Sequence, residues 1–141
     1  MLKRLTVWEE RGDLTPLGVL FLRLVLAAYW GVHWVYKVFH DGMKVTEHVF
    51  TSLGFWPWLA WGDVAFELIA VVALLLGLYV RTISLLLLVI LVPAIKLWIP
   101  NGLWAIHGGY EFPLMWLLMQ VTLAMLGPGP YSVKVLPGTG R

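Results

Sequence analysis

The sequence predicts an all-α fold, an integral membrane four-helix bundle with both termini in the cytoplasm. Three observations lead to this prediction: the composition, four apolar stretches of near-membrane length, and the distribution of basic residues between the loops. Of the 141 residues, 60% are hydrophobic and 13% are charged, whereas soluble domains average about 45–50% and about 25%. A soluble protein of this size could not bury so much apolar surface. We therefore expect a single multi-pass membrane domain over residues 1–141.

Four stretches are apolar enough to form transmembrane helices, which need about 20 residues to cross a bilayer. The predicted spans cover residues 16–39, 57–79, 82–99 and 111–127. Thr15 is a candidate N-cap of the first span, because the proline after it suits the first helical position. Pro93 is expected to kink the third span, and the Gly-Pro-Gly-Pro sequence ends the fourth. So few residues separate the second and third spans that these must form a tight antiparallel hairpin.

Basic residues predict the orientation, because cytoplasmic loops carry an excess of lysine and arginine. One side of the predicted bundle has Lys3, Arg4, Arg11, Arg81, Lys134 and Arg141. The other side has only Lys44 in a loop, with Lys37 and Lys96 near helix ends. Both termini are therefore expected in the cytoplasm of a bacterial or archaeal cell, with the protein in its cytoplasmic (inner) membrane. The loops at about 40–56 and 100–110 would then lie outside.

Composition also excludes several classes of site. Cysteine is absent, which excludes disulfides, thiolate metal sites and dithiol chemistry by this chain. The four histidines show none of the short spacings typical of metal sites, so we expect no metal and no covalently bound cofactor. The net charge is only +2 without a long basic run, so nucleic acid is not an expected partner.

Ionisable residues inside the spans are the candidates for a functional site, because they are costly in a bilayer. His33 and Lys37 share one face of the first span, four residues apart, and Asp63 and Glu67 do so in the second. Because the two helices run in opposite directions, these groups should meet at similar depths. His33 could then be a core histidine bonded to Asp63. We expect one polar cluster in the outer half of the bundle, formed by His33, Lys37, Asp63, Glu67, Lys96 and Glu111.

The ionisable residues inside the spans could also have purely structural roles. Lys37 and Lys96 lie near helix ends, where long side chains can reach the lipid headgroups. For Arg23, deep in the first span, we expect a structural ion pair with Glu67. A buried carboxyl such as Glu67 must be paired, hydrogen-bonded or protonated, so it is a candidate structural partner, ligand contact or proton-transfer group.

The tryptophans are concentrated on the predicted outer side. Trp8 is the exception, and the others are Trp30, Trp34, Trp56, Trp58, Trp61, Trp98, Trp104 and Trp116. Either they anchor the protein in the outer leaflet or they line a pocket there. The loop at 100–110 is either an ordinary hairpin connection or a lid that returns His107, Tyr110 and Glu111 towards the cluster.

Four stretches resemble DoxX-family membrane proteins. They read RLVLAAYWGVHWVYKVF in the first span, AFELIAVVALLLGLYVR in the second, IPNGLWAIHGGYEFPL in the second outer loop and GPGPYS after the fourth span. The resemblance implies a four-helix membrane protein related to the DoxD subunit of thiosulfate:quinone oxidoreductases and, more distantly, to the membrane part of vitamin-K-dependent carboxylase. The family pattern points to Arg23, His33, Lys37, Glu67, Gly77, Arg81, Asn101, Tyr110 and Glu111. Asp63 and His107 lie outside that pattern.

Two functions remain open. The DoxD kinship implies a membrane subunit of a quinone-linked oxidoreductase system, with quinone as the candidate cofactor and with electrons from a partner, so enzymatic activity is not assigned to this chain alone. The candidate pocket residues are His33, Lys37, Asp63, Glu67, Lys96, Asn101, His107, Tyr110 and Glu111. Of these, His33, Lys37 and Lys96 would donate to quinone carbonyls, and Asp63 or Glu67 would relay protons. The alternative is a non-catalytic accessory subunit of a larger membrane complex, or a lipid-binding protein. In either case the expected partners are membrane lipid and other membrane or periplasmic subunits.

Overall fold

The computed structural model describes residues 12–133, which form five α-helices and contain no β-strand. The helices are α1 (Thr15–Val35), α2 (Met43–Ser52), α3 (Leu59–Leu76), α4 (Val80–Trp98) and α5 (Glu111–Leu126). A π-helical turn, Tyr36–Asp41, continues α1. Two short 3₁₀ turns, Ile99–Asn101 and Ala105–His107, lie between α4 and α5.

Three helical stretches are long and apolar enough to cross a membrane. They are Thr15–Asp41, Leu59–Leu76 and Val80–Asn101, and α5 is a shorter apolar helix of 16 residues. The predicted all-helical membrane class is therefore confirmed for the described residues. The orientation stays a prediction. Five of the residues on which it depends also lie outside the described part of the chain: Lys3, Arg4, Arg11, Lys134 and Arg141.

The first helix begins differently from the predicted cap. Helix α1 starts at Thr15 itself, and the Thr15 backbone N–H donates to Asp13 Oδ1 at 3.0 Å. The hydrogen bonds with Thr15 also lower the pKa of the exposed Asp13 carboxyl. The predicted Thr15 cap is thus wrong, and an aspartate two residues earlier satisfies one of the free N–H groups that every helix N-terminus leaves.

Helix α2 was not predicted, because its ten residues are too few and too polar for a span. Gly42, at φ +79°, ends the π-turn, and the chain restarts as α2, which packs on α3. Thr46 is buried on the inner face of α2, whereas Lys44 and His48 are exposed. The loop expected at 40–56 is therefore largely an amphipathic helix.

Helix packing brings α1 against α3 and α4 against α5, with further contacts between α3 and α4 and between α1 and α5. A buried hydrogen-bonded chain crosses three of these helices. Trp30 Nε1 of α1 donates to Gln120 Oε1 of α5 at 3.1 Å, and Gln120 Nε2 donates to Ser84 Oγ of α4 at 2.8 Å. Where lipid surrounds a bundle, such bonds and close packing hold helices together in place of the hydrophobic effect.

Two arginines bond backbone carbonyls at the end of α5 and in the segment that follows it. The Arg23 guanidinium donates to the carbonyl oxygens of Pro128 at 2.6 Å and Tyr131 at 2.5 Å. Arg81 donates to the Met125 carbonyl at 2.8 Å, at the end of α5. The predicted ion pair between Arg23 and Glu67 is wrong, because backbone carbonyls occupy the guanidinium. We refer to this part of the molecule as the Arg23 end and to the opposite part, beyond the π-turn, as the Lys37 end.

Candidate functional site

Two antiparallel helices bring one lysine between two carboxyl groups. Lys37 Nζ donates to Asp63 Oδ2 at 2.7 Å and to Glu67 Oε1 at 2.8 Å. The side chains are 14%, 4% and 0% exposed for Lys37, Asp63 and Glu67. We call these three residues the acid–lysine cluster. The structure thus brings together the two helical pairs that the sequence placed at similar depths.

Local geometry explains why these side chains converge. Asp63 and Glu67 lie one helical turn apart in the middle of α3 and face α1. Lys37 lies in the π-turn, and such turns often occur at functional sites in helices. The two bonds to Lys37 offset part of the cost of removing the two carboxyl groups from water.

His33 lies between this cluster and a group of aromatic rings. Its Nδ1 is 3.7 Å from Glu67 Oε1, slightly beyond hydrogen-bond distance, and its side chain is 46% exposed. The imidazole ring meets Trp116 edge-on at 5.4 Å between centroids and Trp30 at 6.3 Å. The predicted bond to Asp63 is not formed, because the nearest carboxyl is that of Glu67.

A cleft of about 320 Å³ opens beside His33. Its lining comes from α1, α4, the α4–α5 loop and α5, and consists of Trp30, His33, Ile90, Leu91, Ala94, Trp98, Ala105, Gly108, Gly109, Phe112, Pro113 and Trp116. Trp30, Leu91 and Trp116 are buried at its base, whereas Trp98 and Phe112 are exposed at its rim. Among these lining residues His33 alone is ionisable. The sequence predicted one polar, tryptophan-lined pocket, but the structure separates an apolar cleft from the cluster, with His33 in the cleft wall next to the cluster.

Three predicted pocket residues shape the loop that forms one wall of the cleft. Asn101 Nδ2 donates to the Gly108 carbonyl at 3.0 Å, and the Tyr110 backbone N–H donates to the Gly102 carbonyl at 3.1 Å. Glu111 Oε2 accepts a hydrogen bond from the Ala105 backbone N–H at 2.9 Å. Asn101 and Glu111 therefore act through the loop conformation rather than through the cluster.

Two further predicted residues stay apart from the site. Lys96 and His107 are exposed, and neither forms an ion pair or a side-chain hydrogen bond with a described residue. Lys96 and Glu111 thus do not join the cluster, since the first faces outward from α4 and the second is bonded to the loop. Within residues 12–133 no three histidine, aspartate or glutamate side chains are grouped as a metal site would require.

The tryptophans of the described residues lie in three kinds of environment. Trp30, Trp98 and Trp116 line the cleft. Trp56, Trp58 and Trp104 are exposed at the Lys37 end, while Trp34 and Trp61 donate to the Val64 carbonyl and to Glu47. Trp8 lies outside the described residues.

Sequence reasoning missed Gln120 and Ser84. Gln120 fixes the Trp30 indole at the base of the cleft, and both polar residues are fully buried. The available signal was an amide inside an otherwise apolar helix, which in a membrane protein must find a partner on another helix.

Comparison with protein families finds a match. A family model described as DoxX matches residues 18–108, which is more than half of the chain and includes His33 and the acid–lysine cluster. No curated protein and no solved structure matches the chain.

Proposed function

This chain belongs to the DoxX family, and from that premise we propose that it is a membrane subunit of a quinone-linked oxidoreductase system. In this proposal the cleft beside His33 binds the quinone headgroup. The observation that carries the proposal is the placement of an imidazole, backed by a buried carboxyl, in the wall of an indole-lined cleft.

The cleft has the features that a flat, carbonyl-bearing ring requires. Its volume lies at the lower end of the range for ligand pockets, and its lining is mainly apolar with few polar groups, as is common for such sites. Trp30 and Trp116 provide aromatic faces at the base. His33 provides a hydrogen-bond donor for a quinone carbonyl oxygen, and hydrogen-bonding groups of this kind set the orientation of a ligand.

The acid–lysine cluster lies on the Nδ1 side of the His33 ring. Glu67 Oε1 lies 3.7 Å from His33 Nδ1 and is held by Lys37. In this proposal, the carboxyl beside the imidazole exchanges a proton with it, as the partner of an acid–base group does. The chain has no cysteine for dithiol chemistry, and in this proposal the electrons for a bound quinone come from a partner protein.

The same proposal includes the membrane arrangement. We propose that α1, α3, α4 and α5 form a four-helix bundle in a bacterial or archaeal cytoplasmic membrane, with both termini in the cytoplasm and the Lys37 end outside. The support is the length and apolar character of the three long spans, together with Arg81 at the Arg23 end, where the positive-inside rule expects a basic residue.

Quinone binding by the purified protein tests the proposal. We expect a short-chain naphthoquinone to bind in lipid nanodiscs, and His33→Ala to weaken binding by about tenfold, the effect of losing one hydrogen bond of about 1.4 kcal/mol. His48→Ala, which removes an exposed histidine of α2, is the matched control. Equal affinity of the two variants would remove His33 from the site.

The accessory-subunit alternative has its own supporting observation. Phe39, Trp56 and Trp58 are exposed near the Lys37 end, at 75%, 70% and 63%, and exposed aromatic side chains are common in protein interfaces. Native purification distinguishes this alternative: it requires other membrane subunits to co-purify at a fixed ratio and no quinone to bind. A chain that purifies alone and binds quinone contradicts it.

A further inference from the structure

The acid–lysine cluster contains more acidic than basic groups. A single ammonium, that of Lys37, is shared by the carboxyl groups of Asp63 and Glu67. If both carboxyls were ionised, the cluster would have one excess negative charge in the interior of an apolar protein, where an uncompensated charge is costly. One additional proton makes the cluster neutral.

The other lysines and arginines of residues 12–133 are not positioned to neutralise the excess negative charge of the cluster. Arg23 and Arg81 are bonded to backbone carbonyls at the opposite end. Lys44 and Lys96 are exposed and form no ion pair with any residue in 12–133. The acidic side chains of the neighbouring helices are also bonded elsewhere: Glu111 of α5 accepts a hydrogen bond from the α4–α5 loop, and Glu47 of α2 accepts one from Trp61. The remaining titratable group against the cluster is His33.

Two carboxyl oxygens in the cluster have no partner among the described residues. They are Asp63 Oδ1 and Glu67 Oε2, and both are shielded from solvent. An ionised carboxylate accepts hydrogen bonds at both oxygens, so leaving one buried and unpaired is expensive. Two neighbouring buried carboxyls lower this cost by sharing one proton, since like charges at close range disfavour double ionisation.

We propose that Asp63 and Glu67 hold one exchangeable proton between them, and that His33 carries it between this acid pair and the cleft. His33 suits that role because it is half-exposed, whereas the two carboxyl groups are nearly or fully buried. An imidazole accepts a proton at one nitrogen and donates from the other. The Nδ1 side of His33 faces Glu67, and its ring forms part of the cleft wall.

Each transfer conserves protons and needs no electrons. The O–H bond of the Glu67 carboxyl breaks, an N–H bond forms at His33 Nδ1, and the carboxylate left behind stays bonded to Lys37. The imidazolium then releases the proton at Nε2 to an oxygen acceptor in the cleft. Delivery of the proton to a ligand rests on the proposed quinone function. The proton held by Asp63 and Glu67 is independent of that function and is measurable without any ligand.

Infrared spectroscopy of the full chain in lipid nanodiscs tests the stored proton. At neutral pH the ligand-free protein should show the carbonyl stretching band of one protonated carboxyl. Both Asp63→Asn and Glu67→Gln should abolish the band, because either change leaves one carboxylate for one lysine. Glu111→Gln, which removes a carboxyl outside the cluster, should leave it unchanged. Absence of the band from the unaltered protein, or its persistence in both cluster variants, overturns the proposal.

Transfer into D₂O tests the part assigned to His33. Deuterium exchange shifts the carboxyl band, and we expect His33→Phe to slow that shift by about tenfold or more, as for loss of a positioned proton-transfer group. His48→Phe should exchange at the original rate. Equal exchange rates in the two histidine variants overturn the role of His33. Failure of quinone to bind, with the band present, contradicts the proposed function and leaves the stored proton in place.

Discussion

Lys37 Nζ lies 2.8 Å from Glu67 Oε1, in an ion pair whose acidic side chain is completely buried. The same ammonium bonds Asp63, so a single lysine links the π-turn that continues α1 to α3 through two contacts. Removing the lysine leaves both carboxyl groups without a cation, whereas removing one carboxyl leaves the lysine paired with the other. The consequences differ for the basic and the acidic members, and both can be measured.

Replacing Lys37 should destabilise the protein strongly. Lys37→Met removes the cation from both buried carboxyl groups, and breaking a buried pair costs about 3–5 kcal/mol. We expect a correspondingly lower Tm in nanodiscs, measured by circular dichroism. Lys96→Met is the control because Lys96 is exposed, and its Tm should match that of the unaltered protein. Equal melting of both variants would show that the cluster contributes little stability.

Replacing one acidic member should be much milder. In Asp63→Asn the Lys37 ammonium keeps Glu67 as its partner, so no cation is left unpaired. We expect Asp63→Asn to lower the free energy of unfolding by less than half of the loss in Lys37→Met. The same melting measurement checks this asymmetry. A larger loss in Asp63→Asn than in Lys37→Met would contradict the unequal charge count in the cluster.

Gly77 should tolerate no side chain. It ends α3 at φ +77°, and a Cβ there would lie 2.9 Å from the Ser132 Cα atom of the segment held by Arg23. Gly77→Ala should therefore lower the free energy of unfolding by about 2 kcal/mol, since the left-handed conformation alone costs a residue with a Cβ about 1–2 kcal/mol. Denaturant titration in mild detergent measures this loss.

Gly62 of the same helix provides the matched control for that substitution. A Cβ at Gly62 meets nothing within 4 Å, and alanine is the better helix former by about 0.5–1 kcal/mol. Gly62→Ala should leave stability unchanged or slightly higher. If the two alanine variants unfold at the same denaturant concentration, the close contact between α3 and the C-terminal segment is not present.

Gln120 should stabilise both the bundle and the base of the cleft. Gln120→Leu removes the bonds to Trp30 and Ser84, leaving two buried groups unpaired, at a cost of about 1–3 kcal/mol. Thermal unfolding measures the loss, and the fluorescence of the chain should also change because the Trp30 indole loses its acceptor. Thr122→Val is the control, since the exposed Thr122 hydroxyl bonds only its own helix. Similar Tm values in both variants would contradict a role for the amide.

Much of the fold follows from the sequence because apolar length and charge spacing are local properties. The spacing of four residues between His33 and Lys37, and between Asp63 and Glu67, places each pair on one helix face. Opposite helix directions then bring the pairs to the same depth, as the structure has them. Helix α2 was missed because a short helix of mixed polarity lacks the signal of a membrane span.

The partner of Arg23 could not be obtained in the same way. The sequence gives its depth in α1, but its hydrogen-bond partners are carbonyls of residues 128 and 131, which lie far along the chain. Backbone acceptors have no sequence signature, so a carboxyl was the natural expectation. Likewise, the loop hydrogen bonds of Asn101 and Glu111 depend on turns whose geometry is decided by Gly102 and Gly109.

Photolabelling with a quinone tests the central claim most directly. A photoreactive naphthoquinone is bound to the protein in nanodiscs, irradiated, and located by peptide mass spectrometry. Our account predicts labels on cleft residues of α5 and α1, chiefly Phe112, Trp116 and Trp30, which disappear when unlabelled quinone is in excess. Labels confined to outward-facing residues such as Phe21, unaffected by the competitor, would contradict it.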